Sequence, residues 1–192
     1  MTITGLLLAA GAGSRMGMPK ALVRDPDGTS WLRRSVAALA DGGCDVVTVV
    51  LGARADEARA LVPDSVDVVV ADDWADGMSA SLRAGLGAMG DADAVVLSLV
   101  DLPDVTAEVV SRVVAGGAGR TTLSRAAYGG RPGHPVVIGR DHWAGVVASA
   151  TGDQGARPYL AAHDVALVEC GDLATGQDRD TGRPTSRQHP AE

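Results

Sequence analysis

The chain has no phenylalanine, and aromatic residues make up only 3% of its 192 positions. That scarcity argues against the stacked side chains on which single-stranded nucleic acids bind. Basic residues are also in deficit. Seventeen Lys and Arg against 24 Asp and Glu leave a formal net charge of −7, which excludes a broad nucleic-acid-binding face. It does not exclude a small polyanion, because a local basic cluster holds one well inside an acidic protein. The two cysteines, Cys44 and Cys170, match no metal or redox spacing, and both are expected as reduced core residues. No apolar run is long enough to span a bilayer. No basic segment precedes the first apolar stretch as in a signal peptide. These absences together point to a cytoplasmic protein with neither membrane nor nucleic-acid partners. The length suits a single domain, expected over residues 1–183, with 184–192 as a disordered polar tail.

What is present is alternation. Hydrophobic content is 46%, and strand-like apolar runs occur at Ile3–Leu8, Val46–Leu51, Val66–Val70 and Ala94–Val100. Between them lie helix-like stretches at Trp31–Ala40, Ala55–Val62 and Ser79–Met89, with another from Glu108 to near Val114. Thr106 is a candidate N-cap for the last of these. Continuous apolar strands alternating with helices predict an α/β protein with a mostly parallel sheet covered on both faces. After residue 115 the pattern predicts strands at Thr121–Ala127 and His134–Ile138 joined by a turn-rich Tyr128–Gly133. Short helices at Arg140–Ala148 and Ala156–Ala162 follow, then a strand at Val165–Cys170. Ligands of such sheets bind at the carboxyl ends of the strands.

The first strand runs directly into Ala9-Ala10-Gly11-Ala12-Gly13-Ser14-Arg15-Met16-Gly17, with Lys20 after it. Glycines let backbone N–H groups approach an anion. Arginine adds a planar fork for phosphate oxygens and lysine a mobile point charge. The loop is therefore read as a polyphosphate cradle. It is not a Walker loop: Gly11 to Gly17 is one residue too long, and Met18 stands where lysine belongs. Nor is it a dinucleotide fingerprint. The glycines at 11, 13 and 17 are again one residue too long, and the second strand ends in Gly52-Ala53-Arg54 rather than an acid.

Other segments carry candidate chemistry. Asp101 ends the fourth strand beside the loop and is read as a Mg²⁺ ligand rather than a turn or capping aspartate, since Mg²⁺ needs few protein carboxylates beside phosphate and water. Asp104 is then the expected helix cap. Asp180, in Asp178-Arg179-Asp180-Thr181, either completes the metal site or belongs to a solvated tail. Ser79 and Ser81 are placed to donate to a ligand or to cap a helix, with Asp76 as an alternative cap and Trp74 as a packing residue. His134, between glycine and proline, is held extended where its ring can line a pocket. Arg157, after Gly152-Asp153-Gln154-Gly155-Ala156, either meets a second phosphate or closes an ordinary glycine-punctuated connection.

Together these segments resemble the MobA-like nucleotidyltransferases, and within them the molybdenum cofactor cytidylyltransferase type. The matching pieces are LAAGAGSRMGMPK (8–20), DDWADGMSASLRAGL (72–86), VDLPDV (100–105), GRPGHPVV (130–137), GDQGAR (152–157) and DRDT (178–181). The resemblance implies a three-layer α/β/α Rossmann-like nucleotidyltransferase fold, Mg²⁺ as cofactor, and transfer of a nucleoside monophosphate onto the terminal phosphate of molybdopterin. It places nucleotide at Ala9, Ala10, Gly11, Gly13, Arg15 and Lys20 and metal at Asp101. Read together with the segments above, the nucleotide site is expected to take in Leu8, Ser14, Ser79 and Ser81 as well, catalysis to fall to Arg15, Lys20 and Asp101, Asp180 to join the metal, and His134 and Arg157 to meet the acceptor. Leu102 stands where relatives often carry Met, and Thr181-Gly182-Arg183-Pro184 replaces the usual Thr-Pro-Glu-Asp. Guanine-using relatives carry Leu-Ala-Gly-Gly where this chain has Leu8-Ala9-Ala10-Gly11, so CTP is expected over GTP. A molybdenum hydroxylase would receive the product. The rival expectations are a guanylyltransferase of the same cofactor, a sugar-phosphate nucleotidyltransferase, and a non-catalytic carrier of the pterin cofactor.

Overall fold

The computed structural model describes residues 1–179. Asp180 and the tail expected from 184 lie outside the described residues. Strand β1 (Ile3–Leu8) is buried at all six positions, as expected for a strand covered on both faces. It pairs in parallel with β2 (Val46–Leu51) on one side and β4 (Ala94–Leu99) on the other, and β2 pairs in parallel with β3 (Asp67–Val70). β6 (Arg131–Gly139) is antiparallel to β4 and to β5 (Leu123–Tyr128), and β5 pairs in parallel with β7 (Ala166–Glu169). The sheet order is β3-β2-β1-β4-β6-β5-β7, so β6 alone runs against the other strands.

Strand residues alternate between two cores. Ile3, Leu7, Val47, Val49, Ala94 and Val96 meet α1 (Trp31–Asp41), α2 (Ala55–Arg59) and α4 (Ala107–Ala115) on one face. Leu6, Leu8, Val50, Val95 and Leu97 meet α3 (Met78–Gly87), α5 (Trp143–Ser149) and α6 (Arg157–Ala161) on the other. This is the period-two signature of a sheet between helical layers, and it gives the three-layer α/β/α architecture. Cys44 and Cys170 are buried free thiols, and burial, with Asp45 nearby, pushes Cys44 up to about 12. Among the described residues no helix is long and apolar enough to cross a membrane.

Several boundaries differ from the sequence reading. Helix α2 stops at Arg59 rather than Val62, because the chain tightens there into three-residue turns, with Leu61 N donating to Ala58 O and Val62 N to Arg59 O. The segment 140–149 is a 3₁₀ turn, Arg140–His142, followed by α5. β6 begins three residues before His134, so the β5–β6 connection is only Gly129-Gly130, both at positive φ (59° and 75°). Two such residues make the mirror-image turn that suits hairpin twist. Pro132 and Pro135 are tolerated in β6 because β4 pairs only with residues 136–139. The first half of β6 behaves as an edge, and the β5–β6 register shifts between Arg125 and Ala127.

Asp104 does not cap α4. Thr106 occupies the N-cap without a side-chain hydrogen bond. Asp104 Oδ2 instead accepts from Thr175 N (2.6 Å) and Thr175 Oγ1 (2.5 Å). Nor does Asp76 cap α3. Gly77 is its N-cap residue, and Asp153 Oδ1 accepts from Met78 N at 3.3 Å.

Candidate active site

The order of β1 and β4 reverses the winding of the chain, and such a switch point opens a crevice at the strands' carboxyl ends. The loop after β1 and Asp101 after β4 line one cavity there, of about 470 Å³. Its wall includes Leu8, Ala9, Ala10, Gly11, Gly13, Ser14, Arg15, Lys20, Ser81 and Asp101. Nearly every residue expected at the nucleotide and metal therefore falls in one place. Ser79 does not reach it. That side chain is fully buried, and its Oγ accepts from Gly155 N at 3.2 Å, clasping the segment before α6 to the start of α3.

The loop is anchored at its root and open at its tip. Ala9 N donates to Val50 O and Ala53 N donates to Ala10 O, both at 2.9 Å. Ala10 is 4% exposed and packs in the core, yet forms part of the cavity wall. Beyond it the N–H groups of Ala12, Gly13 and Ser14 meet no acceptor among the described residues. The tip reverses at Gly13, where φ is +62° and an added Cβ would sit 1.9 Å from Met18 O. Glycine is needed there for the loop's own closure.

Lys20 is the only lysine in the chain. It opens a 3₁₀ turn, Lys20–Leu22, and its Nζ donates to Asp101 Oδ2 at 2.6 Å. Both side chains are largely withdrawn from solvent, at 20% and 14% exposure. Asp101 Oδ1 is buried and has no hydrogen-bond partner among the described residues. A buried carboxylate oxygen left unsatisfied is costly, and a cation at that oxygen would satisfy it. Among the described residues no group of three or more His, Cys, Asp or Glu forms a metal cluster. The donor set therefore suits a hard ion that takes one or two carboxylates and leaves its other positions to phosphate and water.

A strap from the segment after β7 closes over Asp101. Arg179 N donates to Asp101 O at 3.0 Å, and its Nη1 reaches Asp25 Oδ1 at 2.9 Å. Asp25 also accepts from Trp31 Nε1 at 2.9 Å and from Arg34. Burial pushes the Asp25 carboxyl up, but the hydrogen bonds from Trp31 and Arg34 and the nearby arginine charges bring it below its ordinary value.

A second cavity of about 500 Å³ shares Leu8, Met78 and Leu99 with the first. It opens where β4 and β6 cease to pair, and it contains both residues expected at the acceptor, His134 and Arg157. Burial, then the charges of Arg125 and Arg157, hold the His134 imidazole down at about 4, so it is a neutral hydrogen-bonding group at pH 7. Sequence reasoning missed Arg125, which lines this cavity from β5. The signal was the single charge in Leu123–Tyr128. It also missed Asp153 and Arg179, whose roles depend on partners 75 and 154 residues away.

The MobA-like NTP transferase domain model matches residues 5–167. Nicotine blue oxidoreductase of Paenarthrobacter nicotinovorans is 38% identical, covering 93% of this chain and 92% of its own. A probable molybdenum cofactor guanylyltransferase of Rhodopirellula baltica is 32% identical, over 55% of this chain and 51% of its own. Among solved structures, Rv0371c from Mycobacterium tuberculosis H37Rv aligns with a TM-score of 0.79 and 29% identity, covering 94% of each chain. A structure of that protein in complex with manganese aligns with a TM-score of 0.73 at 29% identity, covering 88% of this chain and 89% of the other.

Proposed function

The chain belongs to the MobA-like NTP transferase family, and from that premise we propose that it transfers CMP from CTP to the terminal phosphate of a molybdopterin-type cofactor and releases pyrophosphate. The observation that carries this reading is the Lys20–Asp101 pair beside an open glycine loop, with Asp101 Oδ1 buried and lacking a described partner. The acceptor's phosphate oxygen attacks the α-phosphorus of the nucleotide, and pyrophosphate leaves in line. No covalent intermediate on the protein is needed, so positioning and charge neutralisation supply the catalysis. The N–H groups of Ala12, Gly13 and Ser14 receive phosphate oxygens, while Arg15 and Lys20 offset the charge that builds on the triphosphate. Ser81 is within reach of the same cavity. A phosphate acceptor is already ionised at pH 7, so no strong general base is required, and the neutral His134 serves as a hydrogen-bond partner for the acceptor. Asp101, with Asp180, would hold a divalent ion, Mg²⁺ in our proposal, which when bound neutralises charge on the phosphates; the manganese complex of the Mycobacterium tuberculosis neighbour supports a divalent ion on this fold. Ala10, where a second glycine would leave more room beside the base, supports CTP over GTP. The buried free thiols fit a reducing cytoplasm, and a molybdenum hydroxylase is the proposed recipient of the product.

A second reading is a redox reaction, favoured by the 38% identity to nicotine blue oxidoreductase. The site supports it less well. β2 ends at Leu51 with no acid to hold a ribose, and Arg54 just beyond is forked to Glu57. The deciding experiment offers CTP, GTP, ATP and UTP separately, with Mg²⁺ and molybdenum cofactor, and measures pyrophosphate release. Release with CTP alone supports the proposal. Release with GTP alone keeps the mechanism and overturns the choice of base. Silence with all four nucleotides, together with oxidation of a reduced nicotinamide in the presence of a heterocyclic dye, would replace the proposal with the second reading.

A further inference from the structure

Arg125 has no part in the nucleotide cavity, and nothing in the local fold explains why β5 should carry a charge at that position. Leu123 and Arg125 share one face of the strand, since side chains alternate, and Leu123 packs in the second core. Arg125 thus enters a region otherwise occupied by Leu82, Leu97, Leu99 and Leu160. Its Nε is fixed by donation to Gly133 O at 3.0 Å. Its two Nη nitrogens meet no acceptor among the described residues, and they are not among the buried, orphaned atoms, so they open into the cavity. Arg157 lines the same cavity, close enough that its charge makes Arg125 easier to deprotonate, on top of the effect of burial. No carboxylate among the described residues forms an ion pair with either guanidinium. Among the described residues the only carboxylate in the lining is Asp178, against two guanidiniums.

Arg125, half-buried at the pocket wall, loses hydration and is repelled by the exposed Arg157 charge beside it. An anion placed between them reverses both costs, and guanidinium forks match the oxygens of a phosphate. We propose that Arg125 and Arg157 together form a binding site for a phosphate monoester whose organic body rests on the leucines of the second cavity. Arg125 thereby selects phosphorylated acceptors over their dephosphorylated forms. That this ligand is the acceptor of nucleotidyl transfer rests on the proposed function; that the cavity binds a phosphate monoester does not. Among the described residues no Phe, Tyr or Trp lines this cavity, so the organic body rests chiefly on aliphatic side chains.

Phenyl phosphate is a probe that tests the site directly. It is titrated into the full-length protein by calorimetry, with and without saturating CTP, so that phosphate seated in the glycine loop is displaced and phosphate in the second cavity is not. Binding that survives CTP and weakens about tenfold or more in both Arg125→Gln and Arg157→Gln supports the proposal. A thermal melt unchanged from wild type serves as the check that both variants fold. Arg125→Lys, which keeps the charge but loses the fork, should recover only part of the affinity. Phenyl phosphate binding equal in wild type and Arg125→Gln, complete displacement by CTP, or no binding at all would overturn it. If CTP itself fails to bind while the arginine variants still lose phenyl phosphate, the nucleotidyl-transfer reading falls and the phosphate site stands.

Discussion

The two cavities touch at Leu8, Met78 and Leu99 but are built by opposite means. The first lies at the carboxyl ends of parallel strands, and its anion-facing groups are largely backbone N–H from a loop whose shape is set by glycine. The second lies where an antiparallel strand leaves its neighbour, and its polar groups are side chains, Arg125, His134 and Arg157. Backbone donors read charge and spacing and are indifferent to most substitutions outside the glycines. Side-chain donors can be exchanged one at a time. On the proposed assignment of nucleotide to the first cavity and acceptor to the second, the first end is conservative by construction and the second is where a relative would act on something else. A relative named for redox chemistry and one named for guanylyl transfer on the same framework are compatible with that division.

The sharpest way to break the comparison is Lys20→Ala. It should lower kcat for pyrophosphate release by roughly a hundredfold or more, the scale seen when one preorganised charge donor is lost. Phenyl phosphate binding in the second cavity should be unchanged. Near-normal turnover would remove Lys20 from the mechanism. Because Lys20 is the only lysine, acylation at that residue, followed by mass spectrometry, should also be suppressed by CTP. Gly13→Ala comes next. A Cβ at positive φ against Met18 O should strain the loop by about 1–3 kcal/mol. CTP affinity should drop tenfold or more in calorimetry while the second cavity keeps its ligand. Equal losses at both cavities would show that they are one mechanical unit.

A smaller effect concerns pH. The folded His134 sits at about 4, below its ordinary 6.5, so the unfolded chain takes up its proton first. Its contribution is therefore whole above about 6.5, shrinks as pH falls, and is gone below about 4. Thermal melts of His134→Gln should show a flatter pH dependence than wild type across that window. Parallel curves would mean that the ring titrates normally. The smallest effect is at the hairpin. Glu169 accepts from Gly130, Gly129 and Gly171, bonds that hold its carboxyl below the ordinary glutamate value. Such a depressed acid stabilises above its ordinary value, and the contribution is lost as pH falls through the lowered one. Glu169→Gln should speed amide exchange at Gly129 and Gly130 and leave both ligands unaffected.

The parallel half was legible because its rules are local. Ile3–Leu8 and Val46–Leu51 are apolar runs closed by loops, and their bounds agree with the structure. The sequence Gly-Ala-Gly-Ser-Arg announces a turn that exposes backbone. The antiparallel half was not legible to the same degree. Gly129 to Gly133 reads as one long turn, and only the pairing of Tyr128 with Arg131 reduces it to two residues and turns Pro132 and Gly133 into cavity wall. Arg125 was overlooked because its meaning depends on Arg157, 32 positions on in the chain and adjacent only after β5, β6 and α6 have met. The capping roles given to Asp76 and Asp104 were reasonable by local rule, but the distant Asp153 accepts from Met78 N, and the distant Thr175 donates to Asp104.

The strap over Asp101 has a consequence for how this protein comes into being. Synthesis is vectorial, and β7, the last strand of the sheet, is complete at Glu169, before Thr175 and Arg179 have been made. The pairing of the sheet therefore does not depend on the bond between the Asp101 carbonyl and Arg179, nor on the last cation at Asp25. A chain truncated after Cys170 should retain the sheet but leave the loop bearing Asp101 incompletely held.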